Sequence, residues 1–456
     1  MARAGMFVRR ARVAARGVAR RRADGARPQL DLDLGGVLMG RTWPASLLQR
    51  SVLWLDRSRP GLLTGPWFTM NAVVRFDGAL DLQLLRAAAE DLLARHELLR
   101  TRLDGPVQVV EDVVEPDFSV VDDVLGPAEW LHTPVSSSAH TPLKLRFSPR
   151  ERLLSLHVHH LLSDASTLWR VLDDLAALYS ARCGAAAPAA PTGQYGEFAV
   201  YEADLMRSGY AEAQAWWCRA LGDVRFASPA QSSEPFASRR VVLPDATLLE
   251  SRARAQRSSP FALLLALLTD AMAGHVSAGD HLPFATVFLR RDHPRWRTMI
   301  GPCLVPVNLA VPLDACADLR LVNEHVIGAQ RYSRFPWWET MRMNPHYAQP
   351  GGFPPFVELV PQLRPGTVSF GPVSATVVDA AGPPDSVRTE NLGLRFRSAV
   401  DGALVTHMSG NGNGWARHVV DDVLDALPGR VQELGSGQLG GSSAESVSRS
   451  LRRARW

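Results

Sequence analysis

Leu153-Leu-Ser-Leu-His157-Val-His159-His160-Leu-Leu-Ser163-Asp164-Ala165-Ser-Thr-Leu-Trp169-Arg-Val-Leu172 is the stretch whose reading decides the fold. Leu154, Leu156 and Val158 alternate with Ser155, His157 and His159, the period of two that marks a strand. On that parity His160 falls on the side of the three apolar residues, so a buried imidazole is expected there. Beyond a short turn, Leu168, Val171, Leu172, Leu175, Leu178 and Tyr179 recur at helical spacing and form an apolar stripe. Ser163 or Asp164 can cap this helix, because a short side-chain oxygen accepts from the unpaired N–H groups of a first turn.

Two readings of the paired histidines compete. In one, His160 is a core histidine satisfied by a backbone carbonyl and Asp164 is only a cap. In the other, His160 sits at the rim of a cavity and takes a proton from an incoming nucleophile. Asp164 then pins the turn through a charge partner. The choice rests on the rest of the chain.

The 456 residues, 46% of them hydrophobic, are enough for two ordinary domains with real cores. The net charge of +4 is unevenly spread. Residues 1–27 hold nine arginines against one aspartate, so the remainder is net acidic and gives no reason to expect a nucleic-acid-binding fold. Lys144 is the single lysine. The four cysteines, at 183, 218, 303 and 316, are far apart and lack metal-ligand spacing, which excludes a zinc ribbon or a disulfide framework. The apolar run that starts at Phe261 is interrupted by Thr269 and Asp270, short of a membrane span. The basic leader has no apolar segment behind it, unlike a secretory signal. Together these features predict a soluble, cytoplasmic protein with no metal site.

From Trp43 the chain becomes domain-like. Trp43-Pro-Ala-Ser46-Leu-Leu-Gln49 through Trp54 reads as an opening helix, and Phe68 through Phe76 as a strand. A long helix is expected from Leu80 to Arg95, closing on Arg95-His96-Glu97-Leu98-Leu99-Arg100-Thr101. Strands follow at Val107–Val110 and Leu143–Phe147. The Ala/Pro-rich segment 185–194 reads as a linker.

The order of these pieces resembles the condensation domain of nonribosomal peptide synthetases, in the chloramphenicol-acetyltransferase-like superfamily. The family's Ser-x-x-Gln-to-Trp helix is similar to Ser46, Gln49 and Trp54. Its Arg-His-Glu-x-Leu-Arg-Thr segment is matched from Arg95 to Thr101. The His-His-x-x-x-Asp-Gly hallmark is matched at His159, His160 and Asp164, with Ala165 in place of its glycine. That departure matters if the backbone there needs φ > 0, which glycine alone adopts freely. In the second half, Tyr195 to Glu202 and Ala215 to Gly222 resemble a pair of helices, and Pro260 to Ala273 a long buried helix. Phe284 to Arg291 resembles a strand that ends in arginine. The resemblance spans roughly residues 43–430, strongest in the first half.

The resemblance implies an α/β fold: two chloramphenicol-acetyltransferase-like lobes in a V with a central tunnel. The division expected is a basic leader at 1–38, a first lobe at 39–184, the linker at 185–194, a second lobe at 195–433 and a Gly/Ser/Arg tail at 434–456. His160 matches the family's functional histidine, and His159 is expected to position the turn. Asp164 matches the structural aspartate, held by an arginine of the second lobe. An ungapped match puts that arginine at Arg291, with Arg290 the alternative. The implied enzyme is free-standing and holds no bound cofactor: its acyl group arrives on the phosphopantetheine arm of a separate, acidic carrier protein. It joins that thioester to an amine or hydroxyl, giving an amide or ester of natural-product biosynthesis. The protein is expected to be monomeric, with no nucleic-acid partner and no membrane span. Alternatives are an acyltransferase of the same superfamily that uses acyl-CoA, and an inactive carrier-docking scaffold.

Overall fold

The alternating and helical patterns resolve, in a computed structural model, into two six-stranded sheets with helices packed against them. The structure describes residues 41–57, 60–61, 63–64, 68–121, 135–136, 141–229, 234–291, 293–349, 352–360, 366–378, 391–399 and 401–434. The expected leader at 1–38, and the expected tail from residue 435 onward, lie outside the described residues.

The first sheet runs in the order Thr367–Phe370, Val373–Val377, Thr69–Phe76, Leu153–His159, Leu143–Ser148, Asp117–Val120. The His-bearing strand is therefore interior, antiparallel to a neighbour on each side. Leu154, Leu156 and Val158 face a core shared with Val74, Phe76, Leu145 and Phe147. The helices Leu82–Arg95 and Ala165–Arg182 close that core with Leu85, Leu92, Val171 and Leu175, all fully buried. At about 1.5–3 kcal/mol for each large apolar side chain, this layer outweighs any single polar contact around the site.

The second sheet has the order Leu304–Pro312, His281–Leu289, Phe356–Val360, Gly393–Ser398, Leu404–Gly410, Phe236–Leu243. Helix Pro260–Met272 lies beneath it, capped by Ser259 and apolar on nearly every face.

Three expectations need correction. Trp43 lies in a short strand, Arg41–Pro44, paired with Val107–Val110, and the opening helix begins only at Leu47. Pro44 and the Ser46 cap set that boundary, since Ser46 Oγ and Gln49 close a reciprocal capping box. The expected helix pair after the linker is one continuous helix, Tyr195–Leu221, because no proline interrupts it. Finally, segment 195–433 does not fold as one lobe, since Thr367–Phe370 and Val373–Val377 extend the first sheet by pairing with Thr69–Phe76.

Candidate functional site

The strand Leu153–His159 is buried along its whole length and ends at His159. His160 N–H donates to the Phe68 carbonyl at 2.7 Å, and a single 3-10 turn, His160–Leu162, follows. This departs from the expected parity. Alternation persists only while the backbone stays extended, and the turn rotates His160 out of the strand. Its ring stacks on Phe68 with centroids 4.6 Å apart and planes 14° from parallel, and the residue is half-buried rather than fully enclosed.

The turn is held from three sides. His159, fully buried, accepts at Nδ1 from Leu161 N–H at 3.1 Å. Ser163 Oγ donates to the His159 carbonyl at 3.2 Å. From the opening helix, buried Gln49 donates through Nε2 to the Leu161 carbonyl at 3.1 Å, while its Oε1 accepts from Ser46 N–H at 2.9 Å. Gln49 stood in the sequence only as part of a motif, and the structure places it against the histidine turn.

Asp164 caps the helix Ala165–Arg182. Its Oδ1 accepts from Thr167 N–H at 2.6 Å and from Thr167 Oγ1 at 2.7 Å. Its Oδ2 accepts from Cys303 N–H, 139 residues away, at 3.1 Å. Arg291 brings Nη2 to 3.5 Å from Oδ1, with both side chains buried. The same guanidinium donates to the Gly301 carbonyl at 2.6 Å and to Thr167 Oγ1 at 3.2 Å. Arg290, the alternative, instead sends Nη1 to the Gln330 carbonyl at 3.0 Å. Gly301 has φ of +135°, and a Cβ there would come within 2.1 Å of the Tyr195 ring, so the approach of this loop to the helix requires glycine. Ala165 is the first residue of its helix and is absent from the positive-φ residues, so alanine fits this backbone without strain.

Burial pushes the His160 imidazole below its ordinary value of 6.5. Backbone hydrogen bonds at His160 and Ser163 and the carboxylates of Glu358 and Asp164 act in the opposite direction. A neutral imidazole in a half-open pocket can accept a proton near neutral pH. Glu358 carried no signal in the sequence, because it lies on a strand of the second sheet and belongs to no local motif. Nearby, the Glu202 carboxyl is buried and accepts from Leu47 N–H at 2.7 Å, and burial raises it to about 7. Among the described residues no group of three or more His, Cys, Asp or Glu side chains is placed to hold a metal ion, and no helix is long and apolar enough to cross a membrane.

Comparison with known proteins shows what the chain is similar to. Residues 143–342, which include the histidine turn, Asp164 and Arg291, match the family model of the condensation domain. The isonitrile lipopeptide synthase of Mycobacterium tuberculosis is 30% identical over 204 residues, covering 39% of this chain and 8% of that protein. The chain spans between 2% and 24% of the length of eight curated relatives. Among solved structures, the SgcC5 protein of Streptomyces globisporus superposes with a TM-score of 0.66 at 19% identity, over 85% of this chain and 98% of that one. The first condensation domain of the CDA synthetase superposes with a TM-score of 0.64 at 19% identity, over 87% and 97%.

Proposed function

We propose that this chain, whose residues 143–342 match the condensation-domain family model, is a condensation enzyme that joins an acyl group held as a thioester to an amine or hydroxyl acceptor, with His160 as the group that manages the proton. The observation that supports this most directly is His160 itself. It is a neutral imidazole on a one-residue departure from a buried strand, stacked on Phe68 and half open, on a turn tied down from every side. A merely structural histidine would not need a turn fixed by Gln49, His159 and Asp164 together.

In this reading His160 accepts a proton from the acceptor as its nitrogen or oxygen attacks the thioester carbonyl. The new C–N or C–O bond forms, the C–S bond breaks, and the thiolate takes up a proton on leaving. His159 acts through the backbone of the turn. Asp164 and Arg291 hold the helix N-terminus to the loop that carries Cys303 and Gly301, and so keep His160 in register. The acyl group is carried on the phosphopantetheine arm of a carrier protein, as substrate, and reaches His160 between the two sheets.

Donor choice is tested by presenting one labelled acyl group either on a phosphopantetheinylated carrier protein or on CoA, with a mixture of amino acids and amino alcohols as acceptors. Faster transfer from the carrier, giving a new amide or ester, is expected. Preference for the CoA thioester would make the protein an acyl-CoA-dependent acyltransferase. Release of acyl from neither donor above the buffer rate would reject the proposed activity.

A further inference from the structure

The second sheet presents a carboxylate to the histidine. Strands His281–Leu289 and Phe356–Val360 run parallel with Ala285 opposite Phe356, so Glu358 is level with Val287. The first of these strands continues into Arg290 and Arg291, and Arg291 reaches Asp164. On the far side, Leu304 pairs with Leu289 and packs against the same apolar cluster, containing Leu161, as Phe68, the residue stacked on His160. Side chains alternate along a strand, so Leu304, Leu289, Val287 and Glu358 share one face. Glu358 is therefore on the face of the second sheet that meets the histidine turn.

The charge balance agrees with this placement. Asp164 is the nearer carboxylate in sequence, but its oxygens are taken by Thr167, Cys303 and Arg291. Glu358 nonetheless acts on the His160 imidazole more strongly than Asp164 does. Its neighbour in register, Arg395, brings Nε to 3.1 Å from Oε2. Among the described residues no hydrogen bond is made to Oε1. The side chain is 19% exposed, enclosed enough for charge to count and open enough for a ligand.

We propose that Glu358 is an acceptor-recognition residue: its free oxygen binds the protonated amino group of the acceptor beside His160 and selects cationic amines over alcohols. This rests on the condensation reading above. The ammonium gives one proton to His160, which passes it to solvent. The freed amine nitrogen attacks the thioester carbonyl and forms the C–N bond. As the C–S bond breaks, the nitrogen's second proton goes to the departing thiolate, leaving an amide and a thiol. An alcohol carries no charge for Glu358 to hold, so it gains nothing from this residue.

The test uses the full chain and Glu358→Gln, which keeps shape and removes charge, with melting temperature as the folding control. Because glutamine also removes the carboxylate that Arg395 faces, the double variant Glu358→Gln/Arg395→Gln is run beside it. The first readout needs no turnover: the pH midpoint for carbethoxylation of His160 by diethylpyrocarbonate, followed by mass spectrometry. The midpoint should fall by roughly half a unit or more in Glu358→Gln, since an opposing charge has been removed. The second is transfer from an acyl N-acetylcysteamine thioester to phenethylamine or to 2-phenylethanol. A loss of roughly tenfold in kcat/KM for the amine, with less than twofold for the alcohol, is expected. Equal losses for both acceptors, or an unmoved midpoint, would overturn the assignment and leave Glu358 as a cross-strand ion pair. If the unaltered protein transfers to neither acceptor, the condensation reading fails, and the midpoint still decides whether Glu358 faces His160.

Discussion

The Asp164 carboxylate and the Arg291 guanidinium lie 3.5 Å apart, both buried, and join the first turn of one helix to a loop of the other sheet. A pair of this kind contributes little against an apolar replacement of both partners, yet removing one partner leaves a charge stranded out of water. Asp164→Asn keeps a capping oxygen for Thr167 and loses the charge. It is expected to cost about 3 kcal/mol or more, with lower melting temperature and soluble yield alongside lower activity. Arg291→Met should cost a similar amount, and the double variant less than the sum. Thermal denaturation of the three variants checks this. An Asp164→Asn protein with unchanged melting temperature and no activity would instead give the aspartate a direct chemical role.

Gln49 reaches the histidine turn through one hydrogen bond, to the Leu161 carbonyl. Gln49→Leu strands that carbonyl, at a cost of about 1–3 kcal/mol, and frees the turn to shift. Turnover should fall about tenfold while KM stays within about twofold, because small misplacements act on the reacting geometry more than on binding. Gln49→Glu, which keeps the Ser46 contact but cannot donate to Leu161 when ionised, should not restore the rate. A proportional rise in KM with unchanged kcat would place Gln49 in substrate binding.

Stability should depend on pH through His157. Burial, with Arg146 and Lys144 nearby, lowers this imidazole from 6.5 to about 3, and its Nε2 lies 2.9 Å from Ser155 Oγ. Between those values the unfolded chain holds a proton that the folded chain does not. The folded state is therefore favoured fully above pH 6.5 and loses stability as pH falls, by about 2 kcal/mol between pH 6.5 and 5. His325, lowered to about 4, acts in the same direction. Glu202, raised to about 7, acts oppositely, its contribution being lost as pH rises from 4.5 to 7. The His157→Asn variant isolates the first effect: its unfolding free energy, measured by denaturant titration at several pH values, should vary less over this window. An identical slope would show that His157 titrates normally in the folded protein.

The activity profile should carry a related signature. His160 is shifted below 6.5, so its neutral form persists into mildly acidic solution. The acid limb of kcat should have its midpoint below pH 6.5, read from initial rates with donor and acceptor saturating. A midpoint above 6.5 would mean that the bound substrate, or a group other than His160, governs the limb.

The parts of this fold that local physics dictates were legible. The strand into His159 and the helix from Ala165 announce themselves through periods of two and 3.6, and Asp164 caps where a short carboxylate at a helix start should. The histidine's orientation was not, because one turn at 160–162 overrides strand parity. The two strands at 367–377 join the first sheet through pairing with residues some 300 positions earlier, which no local pattern records. Family resemblance supplied Arg291, and the structure places it at Asp164. Glu358 was invisible for the same reason as those strands: the feature that singles it out is a neighbour on another sheet.

The measurement that tests the central claim most directly is single turnover of an acyl-loaded carrier protein by His160→Ala beside the unaltered protein, at matched melting temperature. The side chain is half-buried on the turn that follows the strand, and that turn is held mainly through backbone groups, so the variant should fold. Loss of a positioned acid–base group should slow acyl transfer by roughly 10²-fold or more. Transfer at close to the unaltered rate by a folded His160→Ala protein would contradict the assignment of His160 as the group that carries the proton.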